Sequence, residues 1–229
     1  MNNEDTICAI ATGRGGAIGI IRVSGGEALT VVDKIFRPAA EGGLPLTKRK
    51  AYTISYGRIT ADGGEVIDDV LVSIFRAPHS YTGEDSVEIS CHGSAYILQQ
   101  VTQLLIGNGC RAAEPGEFTR RAFLNGKMDL SQAEAVADLI ASSTEATHRL
   151  AMNQMRGAFS RELSMLRDKL LKLTSLLELE LDFSDHEELE FADRSELDDT
   201  AAQIDTVISR LAKSFSLGNA IKNGVPVAI

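Results

Sequence analysis

The chain has 229 residues, 44% of them hydrophobic and 24% charged, enough for one large domain or two modest ones. Its net charge of −9 is unfavourable for a surface that must grip a polyphosphate chain alone. No run of about 18 apolar residues occurs, which excludes a helical membrane span, and Met1 to Asp5 is acidic and polar rather than a secretory leader.

In chain order, β-branched runs over Thr6–Thr12, Ala17–Ser24, Ala51–Thr60, Val66–Phe75 and Ser86–Cys91 predict strands. Helical spacing is expected over Glu27–Phe36 and Ser94–Ile106. The segment Ile59–Glu65 reads as a hairpin connection in which Asp62-Gly63 supplies positive φ angles. Gly13-Arg14-Gly15-Gly16 follows a strand, but no Gly-Lys-Ser/Thr closes it and the residues after it are extended. It is therefore neither a Walker A nor a dinucleotide loop, and reads as a tight connection or a place of close ligand approach.

Two compositions meet near residue 127. Residues 1–126 hold 12 basic and 14 acidic side chains, residues 127–229 hold 11 and 18, and the β signals stop until the end. A capping box is read at Ser131-Gln132-Ala133-Glu134. Met152, Met155, Phe159, Leu163, Leu166, Leu170, Leu173 and Leu177 then recur at spacings of three and four, predicting one long amphipathic helix with Leu163, Leu166 and Leu170 buried. A third helix is expected from Leu197 to Phe215, capped by Asp193 or Ser195, which makes an incomplete helical bundle over 127–221. The fold class is thus α+β, a mixed sheet followed by helices. Residues 222–229 close on Gly224-Val225-Pro226-Val227-Ala228-Ile229, which reads as a linker and the first strand of a further domain.

Chemistry-bearing clusters are few. Glu178 to Asp199 holds eleven acids and one base without EF-hand spacing, so no metal site is expected there. The four histidines show no metal spacing, and the scattered Cys8, Cys91 and Cys110 predict buried, reduced thiols in a cytoplasmic protein. His92 follows Cys91, but strand neighbours face opposite ways, so the two form no dyad. Glu88, between Val87 and Ile89, either faces solvent or meets a donor-rich ligand. Lys48-Arg49-Lys50 and Arg120-Arg121 are the available basic clusters for a tRNA-binding module.

Several segments, in order, resemble the tRNA-modification GTPases of the MnmE (TrmE) family: Asp5-Thr6-Ile7, Gly13–Gly16, Ile20–Gly25, Tyr81–Asp85, Cys91-His92-Gly93, Pro115–Leu130 and Gln132–Ile140. The resemblance covers essentially the whole chain. It implies a tetrahydrofolate-binding and dimerisation domain over 1–126 and the first part of a helical domain. It places the GTPase domain, with its P-loop, Mg2+ and K+, beyond Ile229, so no catalytic residue is expected within these residues. It implies a homodimer, a flavin-dependent partner (MnmG, also called GidA), and tRNA as the substrate of the full complex, modified at carbon 5 of the wobble uridine. By motif, the family's folate contacts fall on Arg22, Glu88 and Lys127, with 5-formyltetrahydrofolate or a related reduced folate as the ligand. A carboxylate suits the two-donor edge of a pterin, and cations suit a formyl oxygen or the acidic tail. An ion pair among the three, or a purely structural dimerisation scaffold, is the plainer alternative.

Overall fold

The computed structural model of the protein describes residues 5–13, 15–182 and 194–223. The chain divides into two compact units, Met1–Met128 and Asp129–Ile229.

In the first unit the strands are β1 (Ile7–Ile10), β2 (Ile18–Ser24), β3 (Phe36–Pro38), β4 (Thr53–Thr60), β5 (Val66–Phe75), β6 (Ser86–His92) and β7 (Arg111–Ala112). They form one sheet in the order β3-β4-β5-β6-β2-β1-β7. Every pairing is antiparallel except that of β1 with β7. Helices α1 (Ala28–Ile35) and α2 (Ala95–Gly107) supply Leu29, Val32, Ile35, Leu98, Val101 and Leu105 to a core shared with one face of the sheet. That face carries Ile21, Val23, Val70, Val72, Ile74, Val87 and Ile89, the odd or even positions that strict alternation assigns to it. The opposite face stays open: Ile54 is 68% exposed, and Ile18, Tyr56 and Leu71 on the same face are exposed as well.

The principal strands and both long helices fall where alternation and spacing predict them, as an α+β unit with a mixed sheet. Three elements escaped: β3, β7 and α3 (Glu117–Leu124). All are short, and α3 lies in a segment that reads as polar turns. The hairpin between β4 and β5 also differs in detail. The left-handed residue is Gly64 (φ 82°), not Asp62 or Gly63, and a register shift at Ile59/Thr60 absorbs the extra residue.

The second unit contains α4 (Leu130–Ala141), α5 (Glu145–Met155), α6 (Ala158–Asp182) and α7 (Arg194–Asn223). The capping box of α4 sits two residues earlier than expected. Asp129 accepts from the Gln132 N–H at 2.9 Å and Gln132 returns a side-chain oxygen to the Asp129 N–H. The Ser160 hydroxyl, ahead of the opposing cost of burial and the helix N–H groups, holds the Asp129 carboxyl below its usual range. The long amphipathic stretch is two helices, not one. Gly157 takes φ 73°, ending α5, because an αL residue cannot continue a helix. Asp193, a candidate cap for α7, lies outside the described residues, as does the expected strand at 224–229; Ser195 lies inside α7.

Burial along α6 also overturns an expectation. Leu163 and Leu170 are each 43% exposed and Leu166 is only partly covered. The periodicity was real, but a stripe is buried only where another element lies over it. Leu163→Ala and Leu170→Ala in this chain are therefore expected to shift stability by no more than about 0.5–1 kcal/mol, against the roughly 2–5 kcal/mol of a core leucine. Thermal melts of the two variants check this.

Candidate functional site

Arg22 in β2 stands directly opposite Glu88 in β6, both on the open face of the sheet. Arg22 Nε and Nη2 approach Glu88 Oε1 at 2.9 and 2.8 Å. Both contacts fall on Oε1, so Oε2 has no protein partner among the described residues. The guanidinium also lies against two rings, 5.2 Å from the centroid of Tyr81 and 5.6 Å from that of Phe118. Glu88 therefore does not stand alone: Arg22 holds one of its oxygens, and the partly exposed carboxylate keeps the other without a protein partner among the described residues. A cross-strand ion pair contributes about 0.2–1 kcal/mol, and cation–π contacts of exposed groups about as much. The cluster is thus a weak source of stability and a well-defined arrangement of charge and aromatic surface.

Lys127 follows α3 and donates to the Pro78 carbonyl at 2.9 Å. Its stem packs beside Gly83, where an added Cβ would meet the Lys127 methylenes at 3.3 Å. The connection between β5 and β6, residues 76–85, thus carries Tyr81 to Arg22 and Pro78 to Lys127. Of the three expected residues, Arg22 and Glu88 form the ion pair, while the hydrogen bond of Lys127 goes to backbone.

What fixes this connection is a set of residues that mostly have no site role in the sequence reading, although most lie within the segments that carry the family resemblance. Tyr81 bonds Thr119 through hydroxyls 2.8 Å apart, and Asn125 donates to the Thr82 carbonyl at 2.8 Å. Asp85 holds Arg76 at 3.1 Å and the Ala77 N–H at 2.8 Å. Ser24, at the end of β2, bonds Thr82 at 2.6 Å and Glu84 at 2.8 Å. Beneath lies Arg121, 2% exposed. It donates to the Asp5 carbonyl at 2.7 Å, to Asp5 Oδ1 at 2.9 Å, to Glu84 at 3.2 Å and to Glu117 at 3.2 Å.

Glu117, 1% exposed, accepts in addition from Arg111 at 2.6 Å and from the Glu114 N–H at 2.8 Å. Arg111, then the Glu114 N–H and Arg121, outweigh burial and hold the Glu117 carboxyl down at about 2. Asp5 is lowered as well, first by Arg111. A charge taken out of water needs this density of donors, since an unpaired one costs several kcal/mol.

The same geometry corrects the reading of Arg120-Arg121 as a phosphate-binding cluster. Arg121 is buried among carboxylates, and Arg120 bridges to Glu117 at 3.4 Å. Arg49 is likewise engaged, with the Leu44 carbonyl at 2.8 Å and the Ser55 hydroxyl at 2.5 Å. Thiolate chemistry at Cys91 and Cys110 is disfavoured too. Burial, and then the charge of Asp68, push the Cys91 thiol up to about 11, and a hydrogen bond to Cys8 with burial pushes Cys110 well above its usual range. All three cysteines are free and buried. Among the described residues no group of three or more His, Cys, Asp or Glu could hold a metal, and no helix is long and apolar enough to cross a membrane.

Residues 6–127, which contain this cluster, match the family described as GTP-binding protein TrmE N-terminus, and residues 130–226 match the MnmE helical domain. The chain belongs to the TrmE/MnmE family. Relatives called tRNA modification GTPase MnmE include that of Bacteroides thetaiotaomicron, 71% identical over 99% of this chain and 48% of its own length. That of Phocaeicola vulgatus is 63% identical over 100% of this chain and 52% of its length, and that of Flavobacterium johnsoniae is 56% identical over 100% and 48%. The chain spans about half the length of the MnmE relatives it matches.

Proposed function

We propose that this chain is the part of a tRNA-modifying GTPase that holds a reduced folate, such as 5-formyltetrahydrofolate, as one-carbon donor. The observation that carries this reading is the Arg22–Glu88 pair, with Glu88 Oε2 open on the outer sheet face beside two aromatic rings. An ionised carboxylate has about four acceptor positions, and Arg22 uses only those of one oxygen. The 2-amino and ring N–H groups of a pterin are two coplanar donors that match the remainder. Arg22, bounded by Tyr81 and Phe118, and Lys127 supply cations for a formyl oxygen or for the acidic tail. No residue of the chain acts on GTP, since no Gly-Lys-Ser/Thr loop occurs in its 229 residues. In this reading GTP, Mg2+ and K+ belong to the GTPase domain of the whole protein. The whole protein, with its flavoprotein partner MnmG, modifies the wobble uridine in the cytoplasm, where the three reduced thiols are at home. Calorimetry of the chain is expected to give saturable heat with 5-formyltetrahydrofolate and none with GTP. The opposite pair of results would overturn the reading.

The same chain is proposed to dimerise through its first unit. Tyr52, Ile54 and Tyr56 lie exposed close together along and before β4, an apolar surface that a second copy would cover. Sedimentation at tens of micromolar is the check, and Ile54→Asp with Tyr56→Asp should leave a monomer. A wild type that sediments only as monomer ends this part of the reading.

A further inference from the structure

An arginine that meets a carboxylate squarely tends to form two parallel N–H···O bonds, one to each oxygen. Arg22 and Glu88 stand directly opposite each other on β2 and β6, yet Nε and Nη2 both converge on Oε1, at 2.9 and 2.8 Å. Oε2 is left over. Both side chains are partly exposed, so the core wedges neither of them, and a small swing of the guanidinium would close the fork. What bounds the guanidinium instead is a pair of rings, Tyr81 at 5.2 Å and Phe118 at 5.6 Å from centroid to Cζ. A planar guanidinium stacks on aromatic faces, and both distances lie within the reach of the cation–π attraction.

Neither ring is free to yield. Tyr81 comes from the connection between β5 and β6 and Phe118 from α3, and the Tyr81 and Thr119 hydroxyls, 2.8 Å apart, join the two segments. The residue after Tyr81, Thr82, is buried, with its hydroxyl 2.6 Å from that of Ser24 and its carbonyl accepting from Asn125 at 2.8 Å. The residue before Phe118, Glu117, is buried and held by Arg111 at 2.6 Å and Arg121 at 3.2 Å. Arg121 reaches Glu84 on the connection as well, at 3.2 Å. The ion cluster beneath the site thus gives both rings a fixed footing.

We propose that Tyr81 and Phe118 are positioning residues for the ligand site: tied together through Thr119, they hold the Arg22 guanidinium on Oε1 of Glu88 and keep Oε2 available as an acceptor. This rests on the folate reading above and adds what prepares Glu88 for the pterin edge. When the hydroxyl bond is broken the rings loosen, the guanidinium forks across both oxygens, and a ligand must displace it before binding. A site that is competent for about a tenth of the time binds about tenfold more weakly, whatever contacts the ligand then makes.

The test breaks the hydroxyl bond from each side. Affinities for 5-formyltetrahydrofolate are measured for the full chain, Tyr81→Phe, Thr119→Val, the double variant and Thr119→Ser, with folding checked by circular dichroism. Each loss of a hydroxyl is expected to weaken binding by about tenfold. The double variant should bind no more weakly than either single one, because both changes remove the same bond. Thr119→Ser keeps the hydroxyl and should keep the affinity. In the same proteins without ligand, the magnetic resonance signal of the Arg22 Nε–H, identified by its absence in Arg22→Lys, should move in Tyr81→Phe and Thr119→Val and stay in place in Thr119→Ser. Where Tyr81→Phe does not fold, Thr119→Val against Thr119→Ser carries the comparison. Unchanged affinity in the variants that lose a hydroxyl, additive losses in the double variant, or an Arg22 signal that does not move overturns the proposal while the folate reading stands. A wild type that binds no folate removes both.

Discussion

Glu88→Gln is expected to weaken binding of 5-formyltetrahydrofolate by roughly ten- to a hundredfold without unfolding the chain. The substitution keeps size and shape but removes the charge and one acceptor oxygen, and a charge-assisted hydrogen bond contributes about 1.5–3 kcal/mol. Stability should change far less. Glu88 is paired with Arg22 on a partly exposed face, where such a pair contributes about 0.2–1 kcal/mol, and a neutral amide still accepts from the guanidinium. Titration of the wild type, Glu88→Gln and Glu88→Ala, with circular dichroism as control, separates the two effects. Equal affinity in three folded proteins would show that Glu88 contacts no ligand and would favour a structural scaffold.

Arg121→Met should have the opposite profile, costing about 3–5 kcal/mol of stability at neutral pH, because it strips a buried donor from Glu117 and from Glu84 and leaves their charge short of partners. The acid limb follows from Glu117. Its carboxyl sits at about 2 against an ordinary 4.5, so the unfolded chain binds the proton first as pH falls. The associated stabilisation is fully present above about pH 4.5 and is lost as pH drops toward 2. At about 1.4 kcal/mol per pH unit the difference amounts to about 3 kcal/mol. Urea melts between pH 7 and pH 2.5 should show this loss in the wild type and a flatter profile in Glu117→Gln. Parallel profiles in the two proteins would mean that other carboxylates carry the acid sensitivity.

These two residues mark what was and was not legible beforehand. Glu88 could be noticed as a carboxylate among apolar strand residues, but whether it met water, a cation or a ligand depended on the strand set beside it. Arg121 reads with Arg120 as a basic cluster for tRNA, and Glu117 carries no reading of its own, within a segment too short and polar to announce a helix. Asp68 left a usable signal. It shares its parity in β5 with Val70, Val72 and Ile74, so alternation alone places an acid on the core face.

By itself, then, the sequence determined the principal strands and the two longer helices of the first unit, the loss of β signal after residue 127, and the absence of a nucleotide loop. Each of these is a matter of local period or local chemistry. Only the tertiary structure decided that Arg22 faces Glu88 across 66 residues, that Arg121 is buried among Asp5, Glu84 and Glu117, and that the leucines of α6 remain partly exposed. A periodic stripe states which side of a helix is apolar, and a charge states what it would pair with. Which surface or partner actually arrives is set by strand order, register and packing, contacts between residues far apart in the chain that no local pattern encodes.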